Sequence, residues 1–457
     1  MLSGVQQEVM LFAAIGLLLG GLDELAIDLL YLGRTLWRRA TVYRRHDAMT
    51  TRTLPPPATA GRMAIFVPAW NEADVIGPML WSALRAWGPG DYRIFVGVYP
   101  NDPDTIAAVA SLAEDEPRIV MAIHSRQGPT TKADCLNLLW RAMLRDEKAE
   151  RARFKAIVLH DAEDVVHEDA LRLLDRMCDR FDLVQLPVLP LPSQQSQWVA
   201  GHYCDEFAES HTKNLIVREA LGAAVPSAGV GCAFRRDALA RLAEEQSGRP
   251  FDPHSLTEDY EIGLRLAERG CSSVFVRMMD AQGQPVCTRE HFPERLEDAV
   301  RQKTRWTIGI SLAGWDRLGW HGGFTERWMR LRDRRAALSA LVLGAAYLGG
   351  VGWMLLMGIG WLGGPEPLPP HPSLSPLLTI TAVLMLWRML MRACFVTHAY
   401  GWRQGLRSIP RIAIGNVIAM LAARRALFRY AAMLRGAPLQ WDKTTHRFPA
   451  YVMDGAR

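Results

Sequence analysis

From Ala336 to Gly363 the chain carries no Asp, Glu, Lys or Arg. Such a run has few ways to fold. About 20 apolar residues in a helix cover the roughly 30 Å of a bilayer's hydrocarbon, and only a helix satisfies its backbone polar groups there without a partner strand. The segment is therefore expected to span a membrane. Leu377–Val396 is expected as a second span, with Arg388 and Arg392 toward one end, where long side chains reach the interface. Val9–Gly33 is a third, interrupted by Asp23, Glu24 and Asp28, so the helix either leaves the bilayer near Asp28 or turns these acids onto protein. Ile412–Leu434 mixes apolar residues with Arg424, Arg425 and Arg429 and reads as an interfacial amphipathic helix.

Arginines flank these runs unevenly. Arg34, Arg38, Arg39, Arg44 and Arg45 form one cluster, and Arg327, Arg330, Arg332, Arg334 and Arg335 another. The loop "GGPEPLPPHPSLSP" between the second and third apolar runs has no Lys or Arg. Positive charge collects on the cytoplasmic side, so the large middle region is expected in the cytoplasm, as part of a multi-pass membrane protein. Each cluster borders an apolar run, as the cytoplasmic flanks of membrane helices do, so a nucleic-acid partner is not expected. The seven cysteines form no CxxC pair, which fits reduced thiols. No cleavable signal peptide is expected, because a basic n-region and a small-residue cleavage site are both missing.

Three parts follow: an N-terminal membrane helix with its basic flank (1–50), a middle domain (51–320) entered through the linker "TRTLPPPATAG", and C-terminal membrane and interfacial helices with a tail (321–457). In the middle part short apolar runs alternate with helical patterns. Strands are expected at Met63–Pro68, Arg93–Tyr99, Arg118–Ile123, Lys155–His160 and Asp182–Pro187, and helices at Asp74–Trp87, Thr105–Ala113, Lys132–Arg145 and Glu168–Arg180. That alternation predicts an α/β domain with a mainly parallel sheet.

Polar clusters fall where three of these strands end: "PAWNE" (68–72), "YPNDPD" (99–104) and "HDAED" (160–164). Ligands in open α/β sheets bind beyond the carboxyl ends of the strands. Each cluster alone is ordinary turn or cap chemistry; their convergence is the signal. In "HDAED", Asp161 and Glu163 point the same way on an extended segment. Two carboxylates on one side make a hard-oxygen site for Mg²⁺ or Mn²⁺, completed by phosphate oxygens and water. The cation would relieve their mutual repulsion, while Asp164 could turn outward to cap the next helix. "SLTEDYEIGLRL" (255–266) puts Thr257, Glu258 and Asp259 at a helix start, either as acids favoured by the dipole or as a general base at a pocket edge. "VRQKTRWTIG" (300–309) puts Gln302, Arg305 and Trp306 at i, i+3 and i+4 of one helix face, a planar cation and an aromatic plate suited to a diphosphate and a sugar.

Together "PAWNE", "NDPDT", "TKADCLN", "HDAED", "GVGCAF", "TEDYEIG" and "QKTRW" occur in the order seen in membrane-bound family 2 glycosyltransferases, the group that includes cellulose, chitin and hyaluronan synthases. "VPSAGVGCAF", "SLTEDYEIGLRL", "RQKTRW" and the tail "PLQWDKTTHRFP" resemble the NfrB-type members. The resemblance covers about residues 8–450 and implies a GT-A fold and inverting transfer from a nucleotide sugar, with a UDP-sugar as the expected donor. It implies that Pro68, Ala69, Asn71 and Glu72 line the nucleotide pocket, that Asp102 contacts the base and that Lys132 lies on the uracil or phosphate side. It places the metal at Asp161 and Glu163, with His291 as a third ligand. It makes Asp259 the catalytic base, with Glu258 beside it, and gives Gln302, Arg305 and Trp306 the diphosphate and the acceptor end. One departure is that the metal motif reads Asp-Ala-Glu, a methylene longer than the usual second Asp. The product implied is an envelope or secreted polysaccharide. Transfer to a polyprenyl phosphate, or a non-catalytic membrane scaffold, are the alternatives. Three spans are few for a complete export channel, so export implies self-association or a partner.

Overall fold

The computed structural model describes residues 2–364, 368–369, 371–437 and 448–449. Most of the tail motif, residues 438–447, lies outside them. In chain order the helices are α1 (Leu2–Thr41), α2 (Ala73–Trp87), α3 (Pro103–Ala113), α4 (Lys132–Glu150), α5 (Ala170–Met177), α6 (Val199–Glu209), α7 (Leu215–Ala220) and α8 (Arg236–Glu245). They continue with α9 (Glu258–Glu268), α10 (Leu296–Trp306), α11 (Ala313–Leu318), α12 (Phe324–Arg334), α13 (Ala336–Trp361), α14 (Leu374–Tyr400) and α15 (Trp402–Leu434). The strands are β1 (Met63–Pro68), β2 (Tyr92–Val98), β3 (Ile119–Ile123), β4 (Ala156–Leu159), β5 (Leu183–Gln185), β6 (Cys232–Arg235) and β7 (Ser273–Phe275).

Among the described residues the strands form one sheet in the order β3-β2-β1-β4-β6-β5-β7. β1 pairs in parallel with both β2 and β4, and only β6 runs against its neighbours. The chain thus leaves β1 toward β2 on one side and meets β4 on the other. That reversal opens a crevice at the carboxyl ends of β1 and β4, where "PAWNE" and "HDAED" sit. Alternation along β1 builds both faces of the core. Met63, Ile65 and Val67 pack with α2, α3 and α5, while Ala64 and Phe66 pack with α4, α8 and α9. The five expected strands and four expected helices all form, with ends shifted by a few residues. Unforeseen were β6, β7 and the helices between β5 and α9.

Glycine decides how closely α9 approaches the sheet. A Cβ on Gly263 would stand 2.8 Å from Ser227 N and 2.8 Å from Val225 O, so the helix lies directly on the backbone of the loop before β6. Two π-helical turns, Ser210–Asn214 and Thr307–Leu312, join α6 to α7 and α10 to α11.

Among the described residues four helices are long and apolar enough to cross a membrane: α1, α13, α14 and α15. Along α13, Leu341, Leu348, Leu355 and Leu362 recur every seven residues and are all exposed, an apolar stripe that no protein covers. α15 was expected to be interfacial; by length and composition it qualifies as a span. It packs on α6 and α10 of the α/β unit as well as on α13 and α14. Asp23, Glu24 and Asp28 of α1 face protein. Asp28 is buried and binds Lys213 Nζ at 2.6 Å through one oxygen and Trp387 Nε1 at 2.9 Å through the other. Lys213, itself fully buried, also holds Glu209 at 2.8 Å. Asp23 and Glu24 pair with Arg332 in the last turn of α12 and with Arg335, the residue between α12 and α13.

Candidate functional site

The crevice leads into a cavity of about 330 Å³. Its walls include Pro68 and Glu72 from the β1 end, Lys132 from the start of α4, Asp161 and Glu163 from the β4 end, Glu258 and Asp259 from the start of α9, and Gln302, Arg305 and Trp306 from α10. Residues spread over more than two hundred positions thus meet in one chamber.

Each wall has a local cause. Thr131 caps α4, accepting the Asp134 N–H at 3.2 Å, and this sets Lys132 at the mouth of that helix. Lys132 Nζ lies 2.5 Å from Asp161 Oδ1. Burial opposes the ammonium's charge, but Asp161, Glu258 and Asp259 outweigh it and hold its pKa well above the ordinary value. Asp164, expected to face outward, is buried instead. Its Oδ2 accepts from the Asp161 N–H at 3.2 Å and lies 2.6 Å from His160 Nδ1. The tight turn this makes is what presents Asp161 and Glu163 to the cavity. Burial, then the charges of Asp161 and Glu163, push the Asp164 carboxyl well up, and burial pushes the His160 imidazole down to about 4.

Asp259 is wedged rather than merely exposed. Its Oδ1 accepts the Tyr260 N–H at 2.8 Å. Its Oδ2 rests against Gly229, whose φ is +77° and where a Cβ would stand 2.5 Å from that oxygen. Gly229 is held in turn by Ser227 Oγ, which accepts its N–H at 3.1 Å. Gln185, fully buried on β5, clamps the same loop: its Oε1 accepts from Ala228 N at 2.8 Å and its Nε2 donates to Val230 O at 3.0 Å. Burial raises the pKa of both neighbouring acids, Glu258 to about 7, with the Asp259 charge adding to it and Lys132 opposing.

The remaining residues singled out by sequence stand elsewhere. Ala69 is buried behind the wall, its N–H bound to Gly97 O at 2.8 Å. Asn71 takes a left-handed φ of 56°, and its N–H donates to Asp102 Oδ2 at 2.5 Å. Asp102 also caps α3 through Thr105 N. Its carboxylate is thus engaged in shaping the "PAWNE" turn. His291 is also outside the wall, whereas its neighbours Glu290 and Phe292 line it, as alternation in an extended segment requires. Among the described residues no three His, Cys, Asp or Glu side chains gather round one point, so His291 does not complete a ligand set with Asp161 and Glu163. Those two acids still suit a hard divalent cation, because they open on a chamber large enough for a diphosphate to supply the other oxygens. Sequence reasoning passed over Phe207, His211, Phe292 and the Gln185 clamp; only the paired glycines of "GVG" hinted that something needs room there.

The sheet and the crevice at its carboxyl edge have the GT-A arrangement. The mannosyltransferase PcManGT from Pyrobaculum calidifontis, solved with GDP-Man and Mn²⁺, superposes with a TM-score of 0.51 at 16% identity, covering 90% of this chain and 99% of that one. The model of glycosyl transferase family group 2 matches residues 156–400, and the chain belongs to that family. Bacteriophage adsorption protein B of Escherichia coli (strain K12) and bacteriophage N4 adsorption protein B of Escherichia coli O157:H7 are each 39% identical over 470 aligned residues, which is 96% of this chain. The chain spans 62% of the length of these relatives.

Proposed function

We propose that this glycosyltransferase moves a sugar, with inversion, from a nucleotide sugar, a UDP-sugar in the first instance, to a growing envelope or secreted polysaccharide. It would act at the inner face of a bacterial inner membrane, with the catalytic unit at 51–320 in the cytoplasm. The observation that carries this is the single chamber shared by the Asp161/Glu163 pair, Asp259 and the Gln302/Arg305/Trp306 face. The GDP-Man and Mn²⁺ bound by the Pyrobaculum calidifontis enzyme support the donor class and the metal.

Asp161 and Glu163 would hold Mg²⁺ or Mn²⁺, which when bound neutralises charge on the leaving diphosphate. Lys132 and Arg305 add fixed positive charge at the same place. Pro68 and Glu72 wall the nucleotide end. Asp259, wedged by Gly229 and Tyr260 N, takes the proton of the attacking hydroxyl. Its raised pKa makes it a stronger base than a free aspartate. Trp306 and Gln302 hold the sugar between base and leaving group, so that proximity replaces collision.

The test is to incubate the purified chain with a panel of nucleotide sugars and Mn²⁺ or Mg²⁺, and to measure released nucleoside diphosphate. Turnover of one sugar nucleotide, lost in Asp259→Asn, is the expected result; no turnover of any would overturn the proposal.

A further inference from the structure

Part of the cavity wall is aromatic. Phe207 lies 4.9 Å from Phe292 and 6.5 Å from Trp306, ring centre to ring centre. His211, in the π-helical turn after α6, stacks on Phe207 at 5.1 Å and meets Phe275 edge-on at 5.8 Å. Its Nδ1 accepts the Val188 N–H at 3.0 Å. Burial holds the imidazole neutral, with its pKa lowered to about 3. A neutral ring whose Nδ1 accepts must carry its proton on Nε2. Among the described residues that N–H has no protein partner, although His211 is only 5% exposed and lines the cavity. Ser210 and Glu290 stand on the same wall.

Resting on the transferase reading above, we propose that the His211 Nε2–H reads one hydroxyl of the saccharide acceptor and so sets which acceptor is taken. The apolar face of a sugar ring fits the Phe207, Phe292 and Trp306 plates, and its hydroxyls answer His211, Ser210 and Glu290. A hydrocarbon chain in the same place would leave the buried N–H unpaired. A phosphate head placed at His211 would meet a neutral imidazole, which does not attract an anion. His211 recognises and orients the acceptor; the proton transfer remains with Asp259.

The experiment uses the full chain in detergent with the nucleotide sugar it turns over best, adding cellotetraose, chitotetraose or a polyprenyl phosphate and measuring nucleoside diphosphate release. A tetraose is expected to stimulate release. His211→Phe, which keeps a ring in the stack, should raise the KM for that tetraose about ten- to hundredfold and leave the donor KM within twofold. His211→Gln, which can still accept from Val188 N and donate, should recover most of the loss. Should His211→Phe not fold, mono-deoxy tetraoses on the unaltered protein give the same information, since one position should cost a similar factor. Stimulation by polyprenyl phosphate alone, an unchanged tetraose KM in the variant, or indifference to every deoxy position overturns the proposal. Failure of the transferase reading itself looks different, as no donor turnover with or without acceptor.

Discussion

Gly229 makes a demanding test of how the base is placed. Replacing it with alanine adds one carbon at φ +77°, 2.5 Å from Asp259 Oδ2 and 3.1 Å from Asp259 Cβ. Ordinary contact begins near 3.4 Å, so the carboxylate must retreat by about 0.9 Å. It cannot swing freely, because Oδ1 is tied to the Tyr260 N–H. A displacement of about 1 Å from productive geometry costs on the order of a hundredfold in rate, near 2.7 kcal/mol at about 1.36 kcal/mol per tenfold. The left-handed backbone adds about 1–2 kcal/mol of instability, seen as a few degrees in Tm. Gly88→Ala separates the two effects. Its φ is +59° and nothing lies within 4 Å of the new carbon, so it should lose similar stability with kcat intact. The assay is nucleoside diphosphate release with melting followed by circular dichroism. Gly229→Ala turning over at the unaltered rate, or Gly88→Ala losing as much activity, would refute the wedge.

Other outcomes follow from the same chamber. Asp259→Asn should lower transfer by about 10²–10⁴-fold while nucleotide binding, read by calorimetry, is kept. Glu258 has a folded pKa of about 7 against an ordinary 4.5. The folded protein therefore keeps a proton that the unfolded chain releases, and this stabilisation is full below pH 4.5 and lost as pH rises to 7. In metal-free buffer Tm should fall from pH 5 to pH 8, and Glu258→Gln should flatten that slope; equal slopes would count against the burial of Glu258. Chelation with EDTA should stop transfer, and Asp161→Asn should raise the Mn²⁺ concentration needed to restore it; indifference to EDTA would remove the cation from the scheme.

Much of this was legible in sequence because it was local. Strand runs of period two and helix faces of period 3.6 leave their mark within a dozen residues, and β1 to β5 formed where those marks stood. Gln302, Arg305 and Trp306 share a face by spacing alone. The misses were contacts made across the fold. The Asp102 bond to the Asn71 N–H could not be read from spacing, because the two residues meet only through the β1–β2 pairing. Asp164 looked like a cap, but the buried His160 draws it inward. β6 is four residues after a glycine, too short to carry a pattern, and its antiparallel course is fixed by its neighbours. His211 gave no signal at all, since a lone histidine acquires meaning only from Val188 and Phe207 around it.

The ion pair between Asp28 and Lys213 has a practical consequence. Ser210 and His211, on the chamber wall, belong to the same π-helical turn as Lys213, so the anchor and the reaction vessel share one beam. Cutting the chain at residues 50 and 321 to obtain a water-soluble fragment would strip away Asp28 and Arg392 and leave Lys213 and Glu209 facing a void built for other charges. Such a fragment should melt early and misplace its acceptor wall, and the long apolar helices count as working parts of the catalyst.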